Sequence, residues 1–416
     1  MKPMVSAAKS IHEQLEELSA FNADPHAGGI TREVFTAEYM AAHEYVAEVM
    51  ADVGLRTRTD TFGNLFGRLD GSEPSAARVL TGSHIDTTLN AGRYDGVLGV
   101  LGGVEAVRTL LADGVRPRRT IEVVCFAGEE PRFGPGCIGS RVLTGQLSRA
   151  DLDSIHDRDG TTIAQALVGC GLEPDRVAEA RLDPAEIHAF VELHIEQGGV
   201  LEQAEIPIGV VTHIAAPHDL FVVLSGEAAH SGATPMPLRR DALAGAAAVM
   251  VALERIARES SSGTSVATVG VLRALPGAIN VVPGRVELEV DIRDRDLTAR
   301  TDLVERFIAE VEMIATQRNL TAEVSTLNRD EPAVCDPIVV EAVRAASEQL
   351  DIPHMDIVSG AYHDAMVLGA EVPMGMIFVP SVGGISHSPD EFTASEDLER
   401  GIAVLADTLA ELAEAV

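Results

Sequence analysis

Lysine is almost missing from this chain. Lys2 and Lys9 are the only two, and the other 30 basic residues are arginine. The body of the chain therefore has no lysine to form a Schiff base or fill a phosphate-binding loop. Tryptophan is absent and aromatic residues make up 4% of the total, which by itself limits no function class. The four cysteines (Cys125, Cys137, Cys170, Cys335) are widely spaced and form no CxxC pair. This argues against a disulfide framework and for buried, reduced thiols in a cytoplasmic protein. Positive charge is scarce too: 32 basic residues face 64 acidic ones, a net charge of -32. Nucleic acid and anionic membrane surfaces are disfavoured as partners on electrostatic grounds. No apolar run reaches membrane-spanning length and the N-terminus lacks a signal-peptide core, so the cytoplasm is the expected compartment.

What is present fits a globular protein with a large core. The 416 residues are 46% hydrophobic and 23% charged, enough for two domains. Apolar spacing predicts helices over 5–20 and 36–53, the second stopping at Gly54. Strand-like runs at 62–69, 77–85 and 119–127 enclose a helical stretch from 96 to 112, and residues 189–194 read as another buried strand. Alternating strands and helices point to an α/β sandwich with a mostly parallel sheet. Residues 150–186 are polar and less regular.

The character changes near residue 213. Strands at 219–226, 264–273, 284–292 and 321–327, with helices at 240–258 and 297–317, follow the order βαββαβ of a ferredoxin-like unit. The α/β pattern resumes with a helix at 337–350, a strand at 374–380 and a helix at 394–415. The expected organisation is a catalytic domain (1–212 and 330–416) interrupted by a smaller one (213–329).

Chemistry concentrates where strands end. His84 and Asp86 close an apolar run, and a glycine-rich turn returns Asp95 nine residues later. His84 offers a neutral nitrogen, Asp95 has two oxygens able to bridge two cations, and Asp86 is placed to steer the imidazole. Glu129 and Glu130 follow the strand ending at Phe126, so one carboxylate can ligate a metal and the other act as general base. His194 interrupts an otherwise apolar strand, and His387 lies in a loop after Pro380. Taken singly, Glu129-Glu130 reads as an acidic turn and His194 as a core histidine. Jointly, His84, Asp95, Glu130, His194 and His387 compose two nitrogen- and oxygen-ligated sites sharing Asp95, suited to zinc, manganese or cobalt. Gly134-Pro-Gly136-Cys-Ile-Gly139 matches a dinucleotide-binding pattern only formally, since Glu129 to Arg132 separate it from the strand. No GxSxG elbow supports a serine hydrolase.

The blocks GSHIDTTLNAGRYDGVLGVLGG (82–103), EEPRFGPGCIGS (129–140), ELHIEQGGVLE (192–202), GEAAHSGATPMPLRRDA (226–242), NVVPGRVELEVDIR (280–293), SGAYHDA (359–365) and SHSPDE (386–391) span the chain nearly end to end. In them the chain resembles the amidase/hydantoinase/carbamoylase family of dinuclear metallohydrolases. The resemblance implies an aminopeptidase-like α/β/α catalytic domain with an inserted ferredoxin-like dimerisation or lid domain. It implies that His84, Asp95, Glu130, His194 and His387 hold two divalent ions, with Glu129 as general base and Asp86 supporting the ligands. His230 matches a histidine that stabilises the oxyanion in the partner subunit's active site of a homodimer. Asn280 and Arg293 match residues that bind the substrate's carboxylate across that dimer, and Gln197 and Gly360 match further substrate contacts. The implied reaction is hydrolysis of a linear amide, an N-carbamoyl-L-amino acid first, with allantoate, β-ureido acids or acyl amino acids as alternatives. Pro131 after the glutamate pair, Tyr94 in place of phenylalanine and Tyr362 in place of glycine depart from the family pattern near the metals or the substrate pocket.

Overall fold

The computed structural model describes residues 9–415. Contacts divide the chain into two units, one of residues up to Thr212 with Val334–Ser359 and His363–Val416, the other of His213–Ala333 with Gly360–Tyr362.

The first unit is built on a nine-stranded mixed sheet. Its centre is four parallel strands, in the order Ile121–Phe126, Arg78–His84, Ile187–Ile195 and Met374–Val379. These strands are buried almost throughout, as expected when helices cover a parallel sheet. Leu65–Leu69 and then Arg56–Thr59 extend the sheet antiparallel on one side. Ile208–Ile214 does so on the other, pairing with Met374–Val379, and Ala333–Val334 and His354–Ser359 join it there. Helix Val97–Ala112 is apolar almost all round and packs between the strands and helix Ser395–Leu412. The fold is the α/β/α arrangement that the family resemblance implies, but the sheet is mixed rather than mostly parallel, because antiparallel strands extend the four central ones on both sides.

Local chemistry sets the ends of these elements. Helix Ile11–Ser19 begins in a capping box between Ser10 and Glu13; residues 5–8 of the expected helix lie outside the described ones. Helix Ala37–Val53 is capped by Thr36 and ends at Gly54 in the left-handed conformation, the stop that the sequence announces. The expected strand at 62–69 is shorter, Leu65–Leu69, because the Asp60 carboxylate accepts the N–H groups of Phe62, Gly63 and Asn64 and folds them into a turn. The irregular stretch at 150–186 contains the short helices Arg149–Ser154 and Ile163–Gly169, each opened by a capping box. All four cysteines are unpaired, and Cys170 is only half-buried.

The second unit is a four-stranded antiparallel sheet, in the order Thr321–Arg329, Ala216–Ser225, Arg285–Asp294 and Val266–Leu275. Helices Ala242–Arg258 and Leu297–Gln317, capped by Asp241 and Asp296, carry the connections. This is the βαββαβ order. Alternation along Arg285–Asp294 buries Val286, Leu288, Val290 and Ile292 in a core with Phe307. Glu287, Glu289, Asp291 and Arg293 point to the opposite face.

Candidate metal centre

In an open α/β sheet, ligands bind beyond the carboxyl ends of the parallel strands. Register places His84 beside Phe126 and His194 beside Phe378, so these strands stop at one common edge. Glu129 and Glu130 leave that edge three and four residues after Phe126, and the chain after Val379 leads to His387. Asp95 arrives on the turn that precedes helix Val97–Ala112. Gly96 caps that helix at φ 66, with the His84 ring so close that an added Cβ would lie 2.4 Å from it. Only glycine lets the turn and the imidazole share this space.

Asp95 is the hub. Its Oδ1 lies 3.2 Å from His194 Nε2 and 3.7 Å from His84 Nε2. Its Oδ2 lies 3.0 Å from His387 Nε2, which is 3.5 Å from Glu130 Oε1. Two trios with metal-ligand spacing result, His84–Asp95–His194 and Asp95–Glu130–His387. All are buried except His387, whose side chain is 49% exposed. Gln197, at φ 58, donates from Nε2 to Asp95 Oδ2 at 2.9 Å, while its buried Oε1 has no hydrogen-bond partner.

The donor set fits divalent cations. His84 Nδ1 lies 3.1 Å from the Asp86 carbonyl and His194 Nδ1 lies 2.9 Å from the Ile195 carbonyl. Carbonyls only accept, so in the neutral rings that a metal requires the proton sits on Nδ1 and Nε2 keeps its lone pair on the side of Asp95. The Gly96 N–H, donating to His194 Nε2 at 3.1 Å, agrees with that tautomer. Asp86 does more than steer the imidazole. Its Oδ1 is 3.6 Å from His84 Nδ1, and its two oxygens accept the backbone N–H groups of Glu129 (3.3 Å) and Glu130 (3.0 Å).

Charge in this pocket is crowded. Burial, with Asp95 and other carboxylates nearby, pushes Glu130 up to about 7 and Glu129 well above the usual carboxylate range. The hydrogen bond to Asp95 carries His387 up to about 9. Burial would lower His84, but Glu129, Asp86 and Asp95 together raise it well above the ordinary value. Such a concentration of carboxylates is what a bound cation relieves. Glu129 Oε2 stands 3.7 Å from His84 Nε2, and the Cys137 thiol lies 3.7 Å from Glu129 Oε1.

A third trio, Glu192–His194–His363, lies behind His194. Glu192 already accepts from Ser83 Oγ (2.6 Å) and Ala365 N (3.1 Å), and His363 Nε2 meets Ser359 Oγ at 3.1 Å. These residues, with Asp364 on Ser140 Oγ at 2.5 Å, brace the centre from within. Glu192, His363 and Asp364 stand inside the matched motifs, yet nothing in their spacing distinguishes them from core polar residues. Arg32, outside those motifs, is a buried guanidinium that donates to the Ile85 carbonyl at 2.7 Å, and its spacing carries no signal either.

The remaining expected site residues belong to the second unit. His230 and Asn280 are neighbours there, Ser231 N donating to the Asn280 carbonyl at 3.0 Å beside the paired strands Ala229–His230 and Val281–Val282. His230 Nδ1 accepts from Gly232 N and Ala233 N, both at 3.1 Å, so its Nε2 carries the proton. Arg293 forms a two-pronged pair with Asp291 and donates to the Gly360 carbonyl at 3.1 Å.

Residues 80–411 match the sequence pattern of peptidase family M20/M25/M40. A Geobacillus stearothermophilus protein described as an N-carbamoyl-L-amino acid amidohydrolase is 43% identical over 403 residues, 97% of this chain and 98% of its own. The ureidoglycolate hydrolase of Arabidopsis thaliana is 40% identical over 412 residues, 97% of this chain and 86% of its own. The crystal structure of a hydantoinase/carbamoylase family amidase from Burkholderia multivorans superposes with a TM-score of 0.86 at 37% identity, covering 97% of both chains. The chain belongs to peptidase family M20/M25/M40 and, within it, to the hydantoinase/carbamoylase amidases.

Proposed function

We propose that this hydrolase cleaves the linear C–N amide of an N-carbamoyl-L-amino acid, releasing the amino acid, carbon dioxide and ammonia. The observation that carries the reading is Asp95, whose two oxygens each face a separate set of ligands, His84 with His194 and Glu130 with His387. His84, Asp95, Glu130, His194 and His387 would hold two divalent cations (zinc, manganese or cobalt), which would supply Lewis acidity and lower the pKa of the attacking water towards about 7.

The chain's own residues do the rest. Glu129, beside His84 and raised by burial, takes the proton from the attacking water and returns it to the departing amine. Asp86 fixes the peptide that carries both Glu129 and Glu130, so base and ligand hold one geometry. His230 presents a proton on Nε2, as a donor to a developing oxyanion requires. Arg293 and Asn280 receive the substrate carboxylate, and Gln197 and Gly360 complete its surroundings. Guanidinium can bind a carboxylate with two parallel hydrogen bonds, and in this structure Arg293 already holds one carboxylate, Asp291, through its Nε and Nη2 side. In this reading the protein is a homodimer, and His230, Asn280 and Arg293 serve substrate bound at the partner subunit's centre.

Relatives named for N-carbamoyl amino acids and for ureidoglycolate are about equally similar, so ureido acids are the second reading. Hydrolysis assays on N-carbamoyl-L-amino acids, ureidoglycolate, allantoate and β-ureido acids, read by released ammonia, and on N-acetyl amino acids, read by the freed α-amino group, each with added manganese, zinc or cobalt, separate them. The expected result is fastest release from an N-carbamoyl-L-amino acid. Cleavage of the acetyl amino acids alone would overturn the carbamoyl reading.

A further inference from the structure

Of the five ligands, His387 is the only exposed one, and it lies on a loop rather than at a strand end. Its backbone is in the left-handed region at φ 54, which a non-glycine residue holds only when its surroundings enforce it. Four residues later Glu391 turns inward and is 5% exposed. Its Oε1 accepts the N–H groups of Tyr94 (2.9 Å) and of Asp95 (3.2 Å), while its Oε2 accepts from Ser386 Oγ at 2.9 Å. One carboxylate therefore joins the backbone of the bridging aspartate to the residue before the exposed histidine. Ser386 Oγ also lies 3.3 Å from Asp95 Oδ2 and from Gln197 Nε2, closing a ring of polar contacts.

The surroundings are shaped for this contact. Gly92 has no side chain because an added Cβ would sit 2.2 Å from Glu391 Oε1. The Tyr94 ring meets Phe392 edge-on at 6.0 Å, and Val382 N donates to the Phe392 carbonyl at 2.9 Å, which closes the base of the loop. The trio His84–Asp95–His194 has no comparable need, since two of its members lie on adjacent parallel strands.

We propose that Glu391 is a positioning residue that latches the His387 loop onto the Asp95 turn, and that the second trio, Asp95–Glu130–His387, is assembled by this latch. The proposal rests on the two-cation reading of the centre, but the latch itself is testable without metal. Glutamine at 391 keeps an acceptor for the two N–H groups and offers its NH2 to Ser386 Oγ, which accepts as readily as it donates. Alanine removes all three contacts.

Hydrogen exchange on metal-free protein, followed by mass spectrometry, reads the latch directly. Peptides covering 91–96 and 382–393 should exchange faster in Glu391→Ala than in the unaltered chain, and close to the unaltered rate in Glu391→Gln. Equilibrium dialysis against Mn2+ then reads the consequence. The unaltered chain should bind two equivalents, and Glu391→Ala should hold the first while the second weakens on the order of 10- to 100-fold. Glu391→Gln should recover most of that affinity. Ser386→Ala, which takes from Glu391 only its Oε2 contact while also removing the Ser386 contacts to Asp95 and Gln197, serves if Glu391→Ala does not fold, and should weaken the second equivalent to a smaller degree. Unchanged exchange in both peptides, or two equivalents of unaltered affinity in the alanine variant, overturns the latch. One equivalent or none in the unaltered chain, with exchange still accelerated in Glu391→Ala, instead overturns the two-cation reading and leaves Glu391 joining loop and turn.

Discussion

The Asp86 carboxylate accepts the backbone N–H of Glu130 at 3.0 Å, while the Asp86 carbonyl stands 3.1 Å from His84 Nδ1. One residue thus orients a ligand from each trio, and its other oxygen holds the N–H of Glu129 at 3.3 Å. Replacing Asp86 with alanine should misplace Glu129 and Glu130 together, while His84 keeps the backbone carbonyl at Nδ1. Metal affinity is expected to fall on the order of 10- to 100-fold, read by competition with a fluorescent chelator. A variant with native affinity and native turnover would show that Asp86 is dispensable.

Glu129→Gln should separate chemistry from binding. The amide is close in size to the carboxylate but cannot take a proton. We predict a loss in kcat of roughly 10^2- to 10^4-fold, with both metal equivalents retained. Turnover within a few-fold of the unaltered enzyme would sink the assignment of Glu129 as base.

Chelation should cost stability as well as activity. Asp95, Glu129 and Glu130 crowd one buried pocket, and without cations their charges oppose one another. Dialysis against a chelator is expected to abolish ammonia release and lower the melting temperature, with both restored by a divalent cation. A site held at a hundred times its Kd contributes about 2.7 kcal/mol. Identical melting curves with and without chelator would contradict a structural stake for the metals.

Arg293→Met should raise KM for a carboxylate-bearing substrate and leave kcat less affected. Losing hydrogen bonds from a charged donor corresponds to about 1.5–3 kcal/mol, or roughly 10- to 150-fold in kcat/KM. The counter-result is an unchanged KM, which would reduce Arg293 to the partner of Asp291 and Gly360 that the structure displays.

Asp219 gives the second unit a pH signature. Burial and the Asp291 charge raise it to about 6, against the pull of Arg293 and a hydrogen bond from Asn328. Its folded value lies above the unfolded one, so the folded state holds the extra proton between about pH 4 and 6. This contribution favours folding at low pH and is lost as pH rises through that window. Asp219→Asn should flatten the slope and be more stable than the unaltered chain at pH 7, as measured by urea unfolding at several pH values. Parallel pH profiles for the two proteins would refute it.

Much of this architecture was legible in the residues. Helix Ala37–Val53 stops at Gly54 because glycine takes the left-handed backbone cheaply, a signal local to the sequence. The βαββαβ order of the second unit followed from alternating apolar positions such as Val286, Leu288, Val290 and Ile292. Other elements had no local signal. Arg56–Thr59 has four exposed residues without alternation and is a strand only because Leu65–Leu69 pairs with it. Ile208–Ile214 is an apolar run at the change of character near 213, and sheet pairing alone makes it a strand.

The candidate ligand types and the strand ends that lead to them were set by the sequence itself, because parallel strands must deliver His84, Glu130 and His194 to one edge. Tertiary structure alone decided which atoms meet. It turned the two oxygens of Asp95 towards different histidines, assigned the Asp86 carboxylate to the backbone of Glu129 and Glu130, and folded Glu391 back onto the Asp95 turn. Those contacts join residues tens to hundreds of positions apart, and spacing along a chain carries no record of hydrogen bonds that only packing brings to between 2.9 and 3.3 Å.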